Sequence, residues 1–383
     1  MAPPVAAGAP WAAPGPDGDT LVVSDLHLGS ATGSDLLRRS TDALDGLLDG
    51  LDGVGRLVIA GDLLELRHGP ARAILDRARP VLRAIGERLG PDRRVLVLAG
   101  NHDHAIVRPW IDRRRLAGEA LAPTDAADPV DVSPLAVAIA DALAPAAVHV
   151  AYPAAWIVAP DRGASGGPAG VLVTHGHHQD AIWRLPTVER LLAGAVARAH
   201  RQTQADTHTV EQFERLLRPA YGWIEGMAEY AERDGQARSQ RTSARVWELL
   251  RDGRGVRGRA ARIAVPVAVR AARRGGLGDL EPRLDPDVLR REGLAGVATV
   301  VRRWGLRPAH LVSGHTHHAG PLADAAPHEW RTAAGIRLWN PGAWVWDGTS
   351  PSGAVDGRAH PYAPGGAIRI GVDGEPRVVR LLP

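Results

Sequence analysis

The chain has 383 residues, 45% of them hydrophobic and 23% charged, enough to bury one large core or two modest ones. It contains no cysteine, which excludes disulfides, thiolate metal sites and cysteine nucleophiles, so any metal must be held by His, Asp, Glu or Asn. All 46 basic residues are Arg and the net charge is only +3, so the placement of the arginines, not their number, bears on partners.

Met1 to Gly18 is rich in Ala, Pro and Gly, lacks a basic n-region and a continuous apolar stretch, and reads as a disordered leader. No run of 18 apolar residues occurs, so no membrane span is predicted and the expected location is the cytoplasm. Ordered structure is expected from Thr20. Leu21 to Ser24 predicts a buried strand that ends in Asp25-Leu26-His27-Leu28-Gly29. Alternate residues at a strand end face one side, so Asp25 and His27 offer half a metal site. Leucines at helical spacing predict a helix over 35–51.

The next two units repeat the design. Arg56 to Ala60 predicts a strand ending in Gly61-Asp62-Leu63-Leu64-Glu65, followed by an amphipathic helix over Ala71 to Leu89. Asp62 then sits at the carboxyl end of its strand, where open α/β sheets place ligands. A lone Gly-Asp is a common turn and gains meaning only from company. Val95 to Ala99 predicts a strand ending in Gly100-Asn101-His102-Asp103-His104. Asn is a neutral oxygen ligand, and the acid at Asp103 is expected to orient His102 and raise its pKa, making it a proton donor.

Trp110 to Pro145 predicts two helices without evident chemistry. Ala147 to Val150 and Trp156 to Ala159 read as strands, and Asp161 to Ala169 as a Gly-rich turn. Gly170 to Thr174 predicts a strand tipped by His175-Gly176-His177-His178; His175 is the preferred ligand and His177 its competitor. Periodic apolar residues then predict a helical cap inserted over 181–305. Within it, Arg238 to Arg274 holds eleven Arg against two acids and encloses the apolar run Ile263 to Val269. A solvated arginine face is the plain reading; the sharper one is a surface that docks on anionic lipid or grips a phosphorylated amphiphile. A nucleic-acid groove is disfavoured because aromatic residues are not interleaved with these arginines.

The apolar run Ala309 to Val312 leads into Ser313-Gly314-His315-Thr316-His317-His318, where histidines at i and i+2 point into neighbouring volumes and suit two adjacent metals. Gly335 to Trp339 and Ala343 to Trp346 read as paired strands around the turn Asn340-Pro341-Gly342. Ala367 to Ile370 and Arg377 to Leu382 read as a closing hairpin turned at Asp373-Gly374.

Collected, the tips are Asp25-x-His27, Gly61-Asp62, Gly100-Asn101-His102-Asp103, His175 and Gly314-His315-x-His317. In this order, over residues 25 to 317, they closely resemble the calcineurin-like metallophosphoesterase family. The resemblance implies a four-layer αββα sandwich of two mixed sheets, spanning 19–383 around the helical insertion. It implies two divalent metal ions, Mn foremost, with Fe, Zn, Co or Ni as alternatives. Asp25, His27, Asp62 and His317 would hold the first, and Asp62, Asn101, His175 and His315 the second, with Asp62 bridging. Two such cations, about 3.5–4 Å apart, neutralise phosphoryl oxygens and activate a bridging water for in-line attack. His102 would protonate the leaving oxygen.

The implied reaction is hydrolysis of a phosphomonoester, phosphodiester or pyrophosphate bond, with a lipid- or nucleotide-linked substrate expected. Position 65 is Glu where purple acid phosphatases have a Tyr ligand. Ser24 to Gly29 and His175-Gly176 look most like the UDP-2,3-diacylglucosamine pyrophosphohydrolase branch, although the insert is longer and that branch's Asn-Arg third motif is absent. A DNA nuclease of the same family and a non-catalytic metal-binding scaffold are the alternatives. The nuclease would want a basic face with a dimerising region, and the scaffold would lack ligands or the donor, all of which are present. His318 reads as a bystander or a substrate contact, and specificity is expected around 313–318.

Overall fold

Hydrophobic alternation is missing from the central strands because both of their faces are covered. In the computed structural model, which describes residues 18–159, 169–203, 205–231, 269–281, 286–346, 354–355 and 358–382, strand β2 (Val54–Ala60) is buried at every position. Around it lie β1 (Asp19–Val23), β3 (Arg94–Leu98), β4 (Thr124–Ala127), β5 (Ala147–Val158), β6 (Val171–Thr174), β7 (His310–Ser313) and β8 (Arg337–Trp339). Two short strands, β9 (Ala354–Val355) and β10 (Arg358–Ala359), pair with each other, and β11 (Gly366–Ile370) pairs with β12 (Pro376–Arg380).

The hydrogen-bonded path runs β12-β11-β1-β2-β3-β5-β6-β7-β8, with β4 beside β5. The fold is therefore α/β with one large mixed sheet. The expected division into two sheets is not drawn by the hydrogen bonding, because β5 belongs to both stretches. Its first residues run parallel to β3 (Leu98↔Ala151) and its last run antiparallel to β6 (Ala154↔Thr174). The two strands expected over Ala147 to Val150 and Trp156 to Ala159 are thus one. A single apolar cluster unites Val22, Val58, Leu96 and Ile368 with Ala155, Val173 and Val312. Full burial of such a side chain is worth about 1.5–3 kcal/mol, so this cluster fixes the strands whose ends carry the polar tips.

The helix over Ala71–Leu89 buries Ile74, Leu75, Ala78, Val81, Leu82, Ile85 and Leu89, the one-sided stripe that its periodicity predicts. The helix predicted over 35–51 is instead two, Leu36–Arg39 and Thr41–Gly50. Ser40 leaves the helical conformation at φ −127° and its hydroxyl accepts from Ala43 N at 3.1 Å, an N-cap inside the run.

Ala343 to Trp346 does not pair back on β8. Asn340 Oδ1 accepts from Gly342 N at 2.8 Å and turns the chain, after which Trp344 N donates to Asp25 O at 3.0 Å and Trp346 N to Ser34 O at 2.8 Å. The expected closing hairpin is present as β11 and β12, with Ile370 opposite Pro376.

Two compact units divide the chain: Met1–Leu66, Ala71–His177 and Trp304–Pro383 form the first, Arg67–Pro70 and His178–Arg303 the second. The second contains helices over Val188–Ala199, Val210–Ala231 and Pro286–Arg303. Inside it Arg190 is fully buried and donates to Trp183 O at 2.8 Å and Leu277 O at 2.9 Å. His178 and Glu214, also buried, meet at 3.1 Å. The leader up to Asp17 and the arginine-rich run up to 268 lie outside the described residues. Among the described residues no helix is long and apolar enough to cross a membrane.

Candidate metal centre

Five of the six non-glycine residues with positive φ among the described residues are Asp25 (55°), His27 (46°), Asp62 (51°), His315 (68°) and His317 (56°). Such backbone is strained for residues with a Cβ and persists only where the surroundings impose it, as at ligand clamps. Here the clamp is visible. Asp25 N donates to Gly61 O at 3.1 Å and His27 N to Asp62 O at 2.9 Å, which zips the tips after β1 and β2 together. His315 N donates to Asp25 Oδ2 at 3.0 Å and His102 N to Asp62 Oδ1 at 2.8 Å, which brings in the tips after β7 and β3. Gly61, at φ 94°, completes the approach: a Cβ there would stand 2.3 Å from the His175 ring.

The side chains converge on one volume. Asp25 Oδ1 lies 3.2 Å from His317 Nε2 and 3.8 Å from His27 Nε2. Asp62 Oδ2 lies 3.3 Å from His175 Nε2 and 3.7 Å from His27 Nε2. Asn101 Oδ1 lies 3.1 Å from both His175 Nε2 and His315 Nδ1. Among the ligands expected from sequence, two groups have metal-ligand spacing, Asp25/His27/His317 and Asp25/Asp62/His175, and a third group, His27/Glu65/His102, has the same spacing through His27. All seven residues expected from sequence as ligands are therefore together. Asp25 belongs to both of the first two groups, while Asp62 Oδ2 faces a histidine of each.

The electrostatics are those of a site waiting for positive charge. Burial would raise the Asp25 carboxyl, but His317 and His27 hold it well below its ordinary value. Burial likewise opposes ionisation of Asp62 and Glu65, and neighbouring histidines again drive both far below the carboxylate range. Burial pulls the His175 imidazole down, yet the charge and hydrogen bond of Asp62 carry it up to about 9. His27 is raised well above its ordinary value against the same burial effect, through Asp25 and Glu65. Buried charge is tolerable only when paired or bound to metal, and the shifts of His27 and His175 show that these carboxylates favour positive charge beside them.

The donor set fits a divalent metal. His175 Nδ1 donates to Ala60 O at 2.9 Å, which in the neutral ring leaves the lone pair on Nε2, aimed at Asp62 and Asn101 oxygens. His27 Nδ1 donates to Glu65 Oε2 at 2.9 Å, which leaves its Nε2 facing Asp25 and Asp62. Acceptors facing acceptors need a cation between them, and mixed carboxylate, amide oxygen and imidazole donors suit Mn, Fe, Zn, Co or Ni.

Asp103 behaves otherwise than expected. Its Oδ2 accepts from Leu63 N at 2.7 Å and Leu64 N at 3.2 Å, and its Oδ1 from Gly100 N at 2.7 Å. It ties the β2 and β3 tips together. Burial and the charge of Asp62 push it up to about 7, against the lowering effect of Gly100 and Leu64. The carboxylate that holds His102 is Glu65, whose oxygens lie 2.8 and 3.0 Å from His102 Nδ1. The His102 side chain is 24% exposed, unlike the buried groups behind it.

Sequence reasoning missed three groups. In the sequence Glu65 stands out only as a departure from tyrosine, although its place three residues after Asp62 is a usable signal. Asn340, read as a turn residue, donates from Nδ2 to Gly314 O at 3.1 Å and Thr316 Oγ1 at 3.0 Å and clamps the histidine loop. Tyr152 carried no signal; its hydroxyl lies 3.3 Å from Nε2 of His177, whose ring packs 5.4 Å from that of His175. His177 thus backs the ligand it competed with.

No family model matches the sequence, and no curated protein matches it. Among solved structures, a dimetal phosphatase from Danio rerio is similar over 96% of this chain and 99% of its own, at 13% identity and a TM-score of 0.34.

Proposed function

We propose that the chain is a dinuclear-metal phosphoesterase of the calcineurin-like class, a phosphoric ester hydrolase. The observation that carries this reading is the pair of overlapping donor groups, Asp25/His27/His317 and Asp25/Asp62/His175, beside a partly exposed histidine outside both. Asp25, His27, Asp62 and His317 would hold one cation, and Asp62, Asn101, His175 and His315 the other. Two divalent cations there supply charge neutralisation for phosphoryl oxygens and a lowered pKa for a water.

The protein's own part is holding and proton transfer. Glu65 fixes the His102 ring through Nδ1, so Nε2 is the atom left to give a proton to the departing alkoxide. In that step a hydroxide oxygen derived from water bonds to phosphorus as the P–O bond to the leaving group breaks, and the electron pair left on the departing oxygen takes the His102 proton. The two-layer arrangement of this class has support in the same contacts. β3 and β5 lie between β2 and β6, so a flat sheet would hold His175 and Asp62 three strand spacings apart, about 14 Å; His175 Nε2 and Asp62 Oδ2 are 3.3 Å apart. Nothing in the geometry singles out the UDP-2,3-diacylglucosamine branch, and the substrate is proposed only as a phosphorylated small molecule or lipid.

The test is hydrolysis of bis(p-nitrophenyl) phosphate by the purified chain with Mn²⁺, alongside Asp62→Ala and His102→Ala. Loss of rate in both variants supports the assignment. Equal rates in all three would sink it.

A further inference from the structure

Outside the ligand set, three half-buried rings gather beside the histidine loop. His318 meets Tyr362 edge-on, with centroids 5.2 Å apart at 87°, and Tyr362 lies 5.9 Å from His360. Trp330, buried, backs His318 at 5.8 Å. Ala319 N donates to Pro361 O at 2.8 Å, so the 360–362 segment is fastened to the residue that follows His318.

The topology puts this wall on the metal edge of the sheet. β11 pairs antiparallel with β1, Val22 opposite Ile368, so the chain just before β11 continues past Val23 towards Asp25. Gly365 N donates to Ala343 O at 3.3 Å, and Trp344 N to Asp25 O at 3.0 Å, which closes the link between this segment and the first ligand. His317, adjacent to His318 in the chain, reaches Asp25 Oδ1. The segments that carry the rings are therefore fastened at the metal edge of the sheet, and the rings are partly open to solvent.

We propose that His318, His360 and Tyr362 form a subsite for a planar ring carried by the substrate, so that the favoured phosphoesters are those of nucleosides or aryl alcohols. Aromatic faces and edges reward a flat π-system over a saturated chain of similar size, because quadrupoles and dispersion add to burial. A base stacked on such a wall is tolerated whatever its hydrogen-bonding edge, so the subsite selects for a ring and not for one base. The inference rests on the phosphoesterase reading for its substrate class and deepens it.

The experiment compares AMP, ribose 5-phosphate and hexyl phosphate as inhibitors of bis(p-nitrophenyl) phosphate hydrolysis by the full Mn²⁺-loaded chain. It is repeated by equilibrium titration without turnover. AMP is expected to bind about tenfold tighter than ribose 5-phosphate, the low to middle range for one stacked base. Tyr362→Ala and His318→Ala should each erode that preference while leaving ribose 5-phosphate binding in place, and Tyr362→Phe, which keeps the ring, should restore it. Equal binding of AMP and ribose 5-phosphate by the wild type overturns the proposal, as does a preference that survives both alanine variants. A gain for hexyl phosphate equal to that for AMP overturns it too, by reducing the wall to a general apolar surface. If the wild type fails to hydrolyse the diester, the phosphoesterase reading falls, and the titration still decides whether the ring subsite exists.

Discussion

Glu65 Oε1 lies 2.8 Å from His102 Nδ1, and the second oxygen of the same carboxylate lies 2.9 Å from His27 Nδ1. One buried acid thus orients a ligand imidazole and a second, partly exposed imidazole whose Nε2 lies 3.9 Å from Asp62 Oδ2. Glu65→Gln keeps the shape but removes the charge, and the amide can accept from only one ring through its oxygen. The expected result is a fall in kcat or metal affinity of about tenfold to a hundredfold, the range for partners that orient ligands. Steady-state kinetics over a Mn²⁺ titration checks it; unchanged kcat and unchanged metal dependence would remove Glu65 from the machinery.

Asp103 gives the contrasting case. Both of its oxygens accept backbone N–H groups, so Asp103→Asn must turn an NH₂ against a buried donor on one side. An unsatisfied buried group costs about 1–3 kcal/mol, and that loss of stability is expected in urea unfolding. The rate per folded, metal-saturated molecule should fall less than in His102→Ala. A stable variant with the collapsed rate of His102→Ala would instead return Asp103 to the role of orienting His102.

Why the sequence misled at Asp103 is instructive. Adjacency in the chain suggested that Asp103 orients His102, but neighbouring side chains at a turn point apart, and the tip of β2 supplied the partner. The five polar tips were legible because each follows an apolar strand with a sharp polar boundary, and a strand end has few places to send its side chains. The course of Ala343 to Trp346 was not, since Asn340 turns it towards Asp25 through a side-chain hydrogen bond that no periodicity encodes. The fusion of two expected strands into β5 was hidden for a related reason: Ala, Tyr and Pro at 151–153 interrupt the apolar pattern without interrupting the pairing.

Metal-free protein should lose stability as pH rises. The His175 pKa stands at about 9 when folded against an ordinary 6.5, so its contribution is fully present below the lower value and is lost as pH passes the higher one. Asp103 acts in the same direction, since a carboxyl raised from 3.8 to about 7 favours folding only while protonated. Asp25, Asp62 and Glu65 are depressed, so their contributions are full above their ordinary values of 3.8 and 4.5 and are lost as pH falls from there through the folded values, outside this interval. The Tm of the chelator-treated chain should therefore fall between about pH 6 and pH 9. A flat or rising Tm over that interval would contradict the folded-state charges assigned to this cluster.

Metal binding should release protons, and this follows from the same cluster. A metal takes the lone pair that a proton holds on the imidazole, and His27 and His175 are both drawn towards the protonated form by the buried carboxylates around them. At neutral pH, loading the chain with Mn²⁺ should expel roughly one proton from each of these two histidines. Affinity should then strengthen as pH rises from about 6 to 9, opposite in sense to the stability of the metal-free chain. Calorimetric titrations in buffers of different ionisation enthalpy read the proton count directly. Heats that do not depend on the buffer would mean that both rings are already neutral, and that the negative field of Asp25, Asp62 and Glu65 is balanced by something other than these protons.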